Sequence, residues 1–204
     1  MTPLKIALVG SRWFGAQAFR LLAEKGHDIS VLGLTEDDQL TVAARAADVP
    51  VTVLGRPRRV VGADIPGEVD VIVAAHAHSF ITAEARAKAR LAAIGYHPSL
   101  LPRHRGIAAV EWTMKCRDAI AGGSIYHLSE TMDGGAIAAQ EWCFVYPDDD
   151  AASLWRRALA PMGLRLLVKV VDQIAERGFA DAAPQDEKAA TAAPPLPADD
   201  VAPR

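Results

Sequence analysis

The strongest constraint on the fold is an alternation of compact apolar runs with stretches of helical spacing. Leu4–Val9 is apolar throughout and stops at Gly10, as a strand buried on both faces would. Phe14–Lys25 places Phe14, Ala18, Leu21 and Leu22 on one helical face, and Gly26 follows as a C-cap. Ile29–Leu34 reads as a strand, Leu40–Ala47 as a helix and Val51–Leu54 as a short strand. Arg56–Gly67 holds prolines, glycines and arginines and reads as a loop. Val69–Ala75 is a second fully buried run, Ala83–Leu91 predicts a helix from its Ala, Arg and Lys, and Ala92–His97 predicts a strand. This order predicts an α/β chain with a Rossmann-like, doubly wound and mostly parallel sheet.

The second half changes character. Pro98–Gly106 reads as a loop and Ile107–Arg117 as a helix. Ser124–Ser129 and Ala136–Tyr146 are strands on either side of Met132-Asp133-Gly134-Gly135, whose glycines suit a turn that needs positive φ. An antiparallel C-terminal hairpin follows from that reading. Asp150–Gly178 predicts one long amphipathic helix, with Pro161 as a candidate kink. Beyond it, Ala and Pro supply 13 of the last 24 residues and aromatics vanish. Such a segment buries too little to order itself, so the chain divides into a domain over 1–180 and a flexible tail over 181–204.

Composition narrows the function. With a net charge of −3, the chain has no broad basic surface for nucleic acid. No apolar run reaches the roughly 18 residues of a membrane span, and the N-terminal run ends in a glycine turn rather than a cleavage site. Cys116 and Cys143 make neither a disulfide framework nor a Cys-type zinc site. A reduced, cytoplasmic protein is expected.

Three segments carry candidate chemistry. Gly10-Ser11-Arg12-Trp13-Phe14-Gly15 joins a strand to a helix as a dinucleotide fingerprint does, and Glu36 sits where a ribose-binding acid would, yet Arg12 stands in place of the central glycine. A tight βα turn is the plainer reading. His76-Ala77-His78 follows a parallel strand, where ligand crevices form, and reads as the lining of a polar pocket. With His97, His104 and Asp133 it raises a metal site, which nothing in the spacing demands. Tyr96–Gly106 is the densest segment: two prolines stiffen it around His97, a natural general acid or base near neutral pH. A structural loop histidine is the plainer alternative. Asp133 would complete a His–carboxylate pair, although Asp at such a turn is commonly only a turn former.

The run His97-Pro-Ser-Leu-Leu-Pro-Arg-His-Arg-Gly106, followed by the Met-Asp-Gly-Gly turn, resembles the folate-dependent formyltransferase family. Its likeness is strongest to the hydrolase domain of 10-formyltetrahydrofolate dehydrogenases, and it spans about Leu4 to Pro184. The resemblance implies 10-formyltetrahydrofolate as formyl donor and water or a small amine as acceptor. It implies His97 and Asp133 as two members of the family's Asn–His–Asp trio. The third departs: Gly95 stands where transferases carry Asn, and the hydrolase domain also lacks that Asn. The resemblance further assigns Ala75, His76, His78, Phe80, Ile81 and Gly134 to folate binding. Arg103 and Arg105 either hold anionic ligand groups or form a solvated face. A folate-binding module without turnover and a metal-dependent hydrolase are the alternatives. Besides the folate and a possible amine, no nucleic acid or membrane partner is expected, and a homodimer is a candidate assembly.

Overall fold

A computed structural model of the chain describes residues 2–55 and 59–197. Its strands are β1 (Lys5–Gly10), β2 (Asp28–Gly33), β3 (Val51–Val53), β4 (Arg59–Val60), β5 (Val69–Ala75), β6 (Phe80–Ile81), β7 (Ala89–His97), β8 (Ile120–His127) and β9 (Ile137–Phe144). The helices are α1 (Arg12–Glu24), α2 (Gln39–Ala46), α3 (Ala83–Arg86), α4 (Ala109–Lys115), α5 (Ala151–Leu154) and α6 (Ala160–Arg177). Seven strands take the order β3-β2-β1-β5-β7-β8-β9, parallel from β3 through β7, with β8 and β9 antiparallel to each other. This is the doubly wound, mostly parallel sheet that the apolar runs predicted. Among the described residues no helix is long and apolar enough to cross a membrane.

The chain divides into two compact units, 1–95 with 167–181, and 96–166 with the residues from 182 onward. This differs from the expected split near residue 180. In the first unit, Ile6, Leu8, Val31, Leu32, Val71, Ile72, Val73 and Ile94 fill the sheet interior. Phe14, Phe19, Leu22, Leu40, Leu167 and Val171 are buried on the helices. Each such side chain contributes about 1.5–3 kcal/mol on burial. In the second unit Val110, Ala121, Leu154 and Leu159 form a core cluster, with Met114, Cys143, Val145 and Trp155 packed against it.

Several expectations need correction. Ala83–Leu91 is not one helix: α3 ends at Arg86, and the chain from Ala89 pairs with β5. Strand pairing inside a sheet outweighs the modest helix propensity of Ala, Arg and Lys. Arg59–Gly67 is not wholly irregular, since β4 pairs with β6 and Gly62–Asp64 forms a 3₁₀ turn. Arg56–Arg58, in the same expected loop, lie outside the described residues. The long helix is interrupted by a π-helical turn over Trp155–Leu159, in which the Ala160 N–H donates to the Trp155 carbonyl. Pro161 follows directly and has no N–H to give, so the change of register sits where the proline was expected to disturb the helix.

The tail also departs from expectation. Ala183 exchanges backbone hydrogen bonds with Ile137 on β9 (2.9 and 2.8 Å). Thr191 and Ala193 bond the backbone at Pro102, Arg105 and Ala108. Ala193 is fully buried, and the Trp112 indole N–H donates to the Pro194 carbonyl (2.8 Å). Backbone hydrogen bonds need no apolar side chains, so composition gives no sign of these contacts. Residues 198–204 of the expected tail lie outside the described residues.

Candidate active site

The second unit brings His97 and Asp133 together. His97 ends β7, is 6% exposed, and its Nε2–H donates to the His104 carbonyl (2.7 Å). A carbonyl only accepts, so that bond fixes the proton on Nε2. Nδ1 is left facing Asp133 Oδ2 at 3.4 Å. That separation exceeds the about 2.7–2.9 Å of a charge-assisted hydrogen bond. Asp133 therefore acts on the ring as a nearby charge, and the ring is oriented by a backbone carbonyl rather than by the carboxylate.

Asp133 is itself held on both oxygens. The Gly106 N–H donates to Oδ2 (2.8 Å) and the Tyr126 hydroxyl to Oδ1 (2.7 Å). Tyr126 stands edge-on to the His97 ring, with centroids 6.5 Å apart. The β8–β9 register shifts between Ile125 and Tyr126, the kind of bulge that re-aims a side chain. Burial, and next the Asp133 charge, push the Tyr126 hydroxyl well above its usual pKa, so it stays a donor.

The turn does not use its glycines as expected. Asp133 itself takes the left-handed conformation (φ 52°). Gly134 and Gly135 serve close approach instead: a Cβ on Gly135 would collide with the His127 carbonyl oxygen, and one on Gly134 would lie 2.8 Å from the Thr131 side chain. His104 also lies in the left-handed region (φ 56°), which turns its carbonyl to His97. Its ring Nε2 donates to Asp118 Oδ2 (2.7 Å). Arg103, expected to face ligand or solvent, bonds both Asp118 oxygens (3.1 Å each). Arg105 is taken up by Gln185 and Glu187.

The loop between His97 and Gly106 is anchored from the hairpin as well. The Ser124 hydroxyl donates to the Ser99 carbonyl (2.6 Å), and the Gln140 amide donates to the Leu101 carbonyl (2.8 Å). Gly95 lies on β7 opposite Ala74 and two residues before His97, which places both on one face of the strand.

The other sequence-predicted residues belong to the first unit. His76 is left-handed (φ 60°), with Nδ1 3.1 Å from the Ser11 hydroxyl and its ring 4.6 Å from that of His78. Ala75 is fully buried and Ile81 nearly so, leaving them mainly backbone to offer a ligand. Phe80 has the Arg59 and Arg86 guanidinium groups about its ring at 5.8 and 5.9 Å. The Asp38 carboxylate accepts from the Arg12 N–H (3.0 and 2.9 Å), placing an anion at the start of α1 where a dinucleotide pyrophosphate would sit. Glu36 pairs with Arg45. Among the described residues no group of three His, Cys, Asp or Glu side chains is arranged to hold a metal.

Burial, then the His78 and Arg12 charges, lower the His76 pKa to about 4 against a weaker opposing pull from Asp38. The unfolded chain binds that proton near pH 6.5 and the folded chain only near pH 4, so this group costs stability as pH falls through that window. His76→Asn, which tolerates left-handed backbone, is expected to flatten the pH dependence of unfolding between pH 4.5 and 6.5 by up to about 1.4 kcal/mol per pH unit. Chemical denaturation at several pH values measures it, and an unchanged slope would refute the buried neutral imidazole.

Tyr126 and Gln185 were missed from the sequence, and His104 was raised there only as a candidate metal ligand, not as the holder of His97. Tyr126 acts through a bulge, His104 through its carbonyl, and Gln185 lies in the Ala/Pro-rich segment.

The comparisons with known proteins follow this geometry. Residues 55–171, more than half of the chain, match the formyl transferase family model. The chain is 35% identical over 201 residues to the cytosolic 10-formyltetrahydrofolate dehydrogenase of Homo sapiens, covering 92% of this chain and 22% of that protein. It thus spans about a fifth of that relative's length. Among solved structures, a HypX variant from Aquifex aeolicus matches with a TM-score of 0.72 at 21% identity, over 98% of this chain and 31% of that one. An N-formyltransferase from Helicobacter canadensis, in complex with folinic acid and dTDP-3-aminofucose, matches with a TM-score of 0.79 at 13% identity, over 99% of this chain and 73% of that one. At these identities the two structures establish the fold, and the family follows from the 55–171 match: the chain belongs to the formyl transferase family.

Proposed function

We propose that this chain removes the formyl group from 10-formyltetrahydrofolate, with His97 as the proton-transfer group and Asp133 as its electrostatic support. The observation that carries the reading is the two-sided hold on His97. Its Nε2 proton is committed to the His104 carbonyl, and Nδ1 faces a carboxylate at 3.4 Å. Nδ1 is then the nitrogen that gains and loses a proton, and Asp133 stabilises the imidazolium. Attack on the formyl carbon sends the carbonyl electron pair onto oxygen. Collapse breaks the bond to the folate nitrogen, which leaves with a proton as tetrahydrofolate. The names of the dehydrogenase relatives and the folinic acid in the Helicobacter neighbour support the choice of donor. The assignment of residues 75–81 and Gly134 to folate rests on the family resemblance.

Water is the preferred acceptor. An Asn amide at position 95 would help the oxygen accept charge, and a lost donor of this kind typically costs on the order of 10²–10³ in rate. Glycine supplies no such amide, which disfavours clean transfer to an amine. The test measures tetrahydrofolate and formate release from the donor, alone and with a panel of amines. Gly95→Asn is expected to raise amine formylation relative to hydrolysis by about tenfold or more. A parent protein that formylates an amine efficiently and releases no formate in its absence would overturn the hydrolase reading.

A further inference from the structure

We infer that residues 183–193 are a positioning strap for the His97–Asp133 pair, with Gln185 and Thr191 as its working side chains; the inference rests on the catalytic reading of that pair. One amide spans both loops that carry the pair. Gln185 Nε2 donates to the Asp133 carbonyl (2.8 Å) and to the Gly135 carbonyl (2.7 Å). Its Oε1 accepts from Arg105 Nε (3.0 Å) and a terminal Arg105 nitrogen (2.6 Å). Both amide protons and the carbonyl oxygen are used, which a purely apolar or acidic side chain could not reproduce. Glu187 closes the group by pairing with the same guanidinium (2.7 and 2.9 Å).

Thr191 performs the second half of the task. Its hydroxyl accepts the His104 N–H (2.8 Å), its N–H donates to the Pro102 carbonyl (3.1 Å), and its carbonyl accepts the Arg105 N–H (2.8 Å). Two residues on, the Ala193 N–H donates to the Arg105 carbonyl (2.6 Å). Gly106 is glycine for this reason: its φ is +123°, and a Cβ there would lie 2.7 Å from the Ala193 carbonyl oxygen.

The two side chains converge on the two residues whose backbone aims the pair. Asp133 presents the carboxylate and His104 presents the carbonyl that holds His97. Both are non-glycine residues with left-handed backbone (φ 52° and 56°), a conformation that persists only when its surroundings over-determine it. A segment that merely anchored the chain end would have no reason to place its polar side chains at those two positions. Gln185 and Thr191 touch no reacting atom, so they are positioning residues, and their loss is expected in turnover rather than in binding.

The test uses the full chain with Gln185→Ala, Gln185→Glu, Thr191→Val and Thr191→Ser, and Lys188→Ala as a control at a strap position assigned no role. Donor turnover is measured as kcat and KM, and the His97 ring proton signals are followed by NMR at fixed pH. Gln185→Ala and Gln185→Glu are each expected to lower kcat by 10- to 100-fold, the scale of a displacement of about 1 Å in a catalytic group, with KM within about threefold. The His97 ring signals should shift as Asp133 and the His104 carbonyl move relative to the ring. Thr191→Val should act in the same direction and Thr191→Ser should restore kcat. Folded Gln185 variants with a lower melting temperature but unchanged kcat and unchanged His97 ring signals would overturn the proposal. If the parent turns over no donor, the functional reading fails and the His97 ring signals alone decide the strap: a change in them supports it and no change overturns it. If the Gln185 variants do not fold, the Thr191 pair decides by the same readouts.

Discussion

Replacing His97 by alanine is expected to lower donor turnover by at least ~10²-fold, the usual scale for a lost general acid–base group. The ring is 6% exposed and has one nitrogen committed to a backbone carbonyl. It is therefore held in a single orientation, and the proposed role needs little of its geometry assembled during reaction. Asp133 is held as firmly, by the Gly106 N–H and the Tyr126 hydroxyl, and presents a fixed negative charge to the ring. Removing the imidazole leaves that carboxylate with no proton carrier to stabilise. The effect should appear in kcat, with donor binding measured separately by fluorescence titration. A folded His97→Ala protein that keeps near-parental turnover would show that the proton moves through another group, and Asp133 would lose its assigned role with it.

How much of this could be read from the amino acids depends on what kind of force set each feature. Strands such as Val69–Ala75 were legible because a parallel strand covered on both faces must be apolar throughout. Ala89–Arg90-Leu91 was not, since Ala and Arg read as helix while pairing beside β5 decides the matter. His97 and Asp133 were legible through the residues around them. Which backbone positions carry the pair was not: the Asp-Gly-Gly turn suggested a glycine in the left-handed region, and Asp133 occupies it instead. His104 contributes a carbonyl, a group every residue owns, so its side chain gave no hint of the role. Tyr126 sits on β8, where its reach to Asp133 depends on a bulge that strand periodicity does not reveal.

The segment after Asp181 is where composition and structure part most sharply, and it yields the largest expected effect on stability. A chain ended after Asp181 would lose the Ala183–Ile137 pair of hydrogen bonds and the Gln185 bridge. It would also lose the ladder of Thr191 and Ala193 against Pro102, Arg105 and Ala108. The groups left behind include the buried His104 backbone and a Gly106 conformation shaped around Ala193. A net hydrogen bond is worth about 1 kcal/mol, and ordering the segment costs a good part of the sum, so a loss of roughly 3–5 kcal/mol is expected. For a chain of this size that lowers the melting temperature by about 10 °C. Calorimetry of the parent and of the protein ended after Asp181 measures it, and an unchanged melting temperature would show that these contacts contribute nothing net. Donor turnover should fall further than stability alone requires at a temperature where the shortened chain is still folded. The carbonyl that holds His97 and the turn that presents Asp133 would then lack the segment bonded to them, and a chain able to fold would still hold the pair in the wrong place.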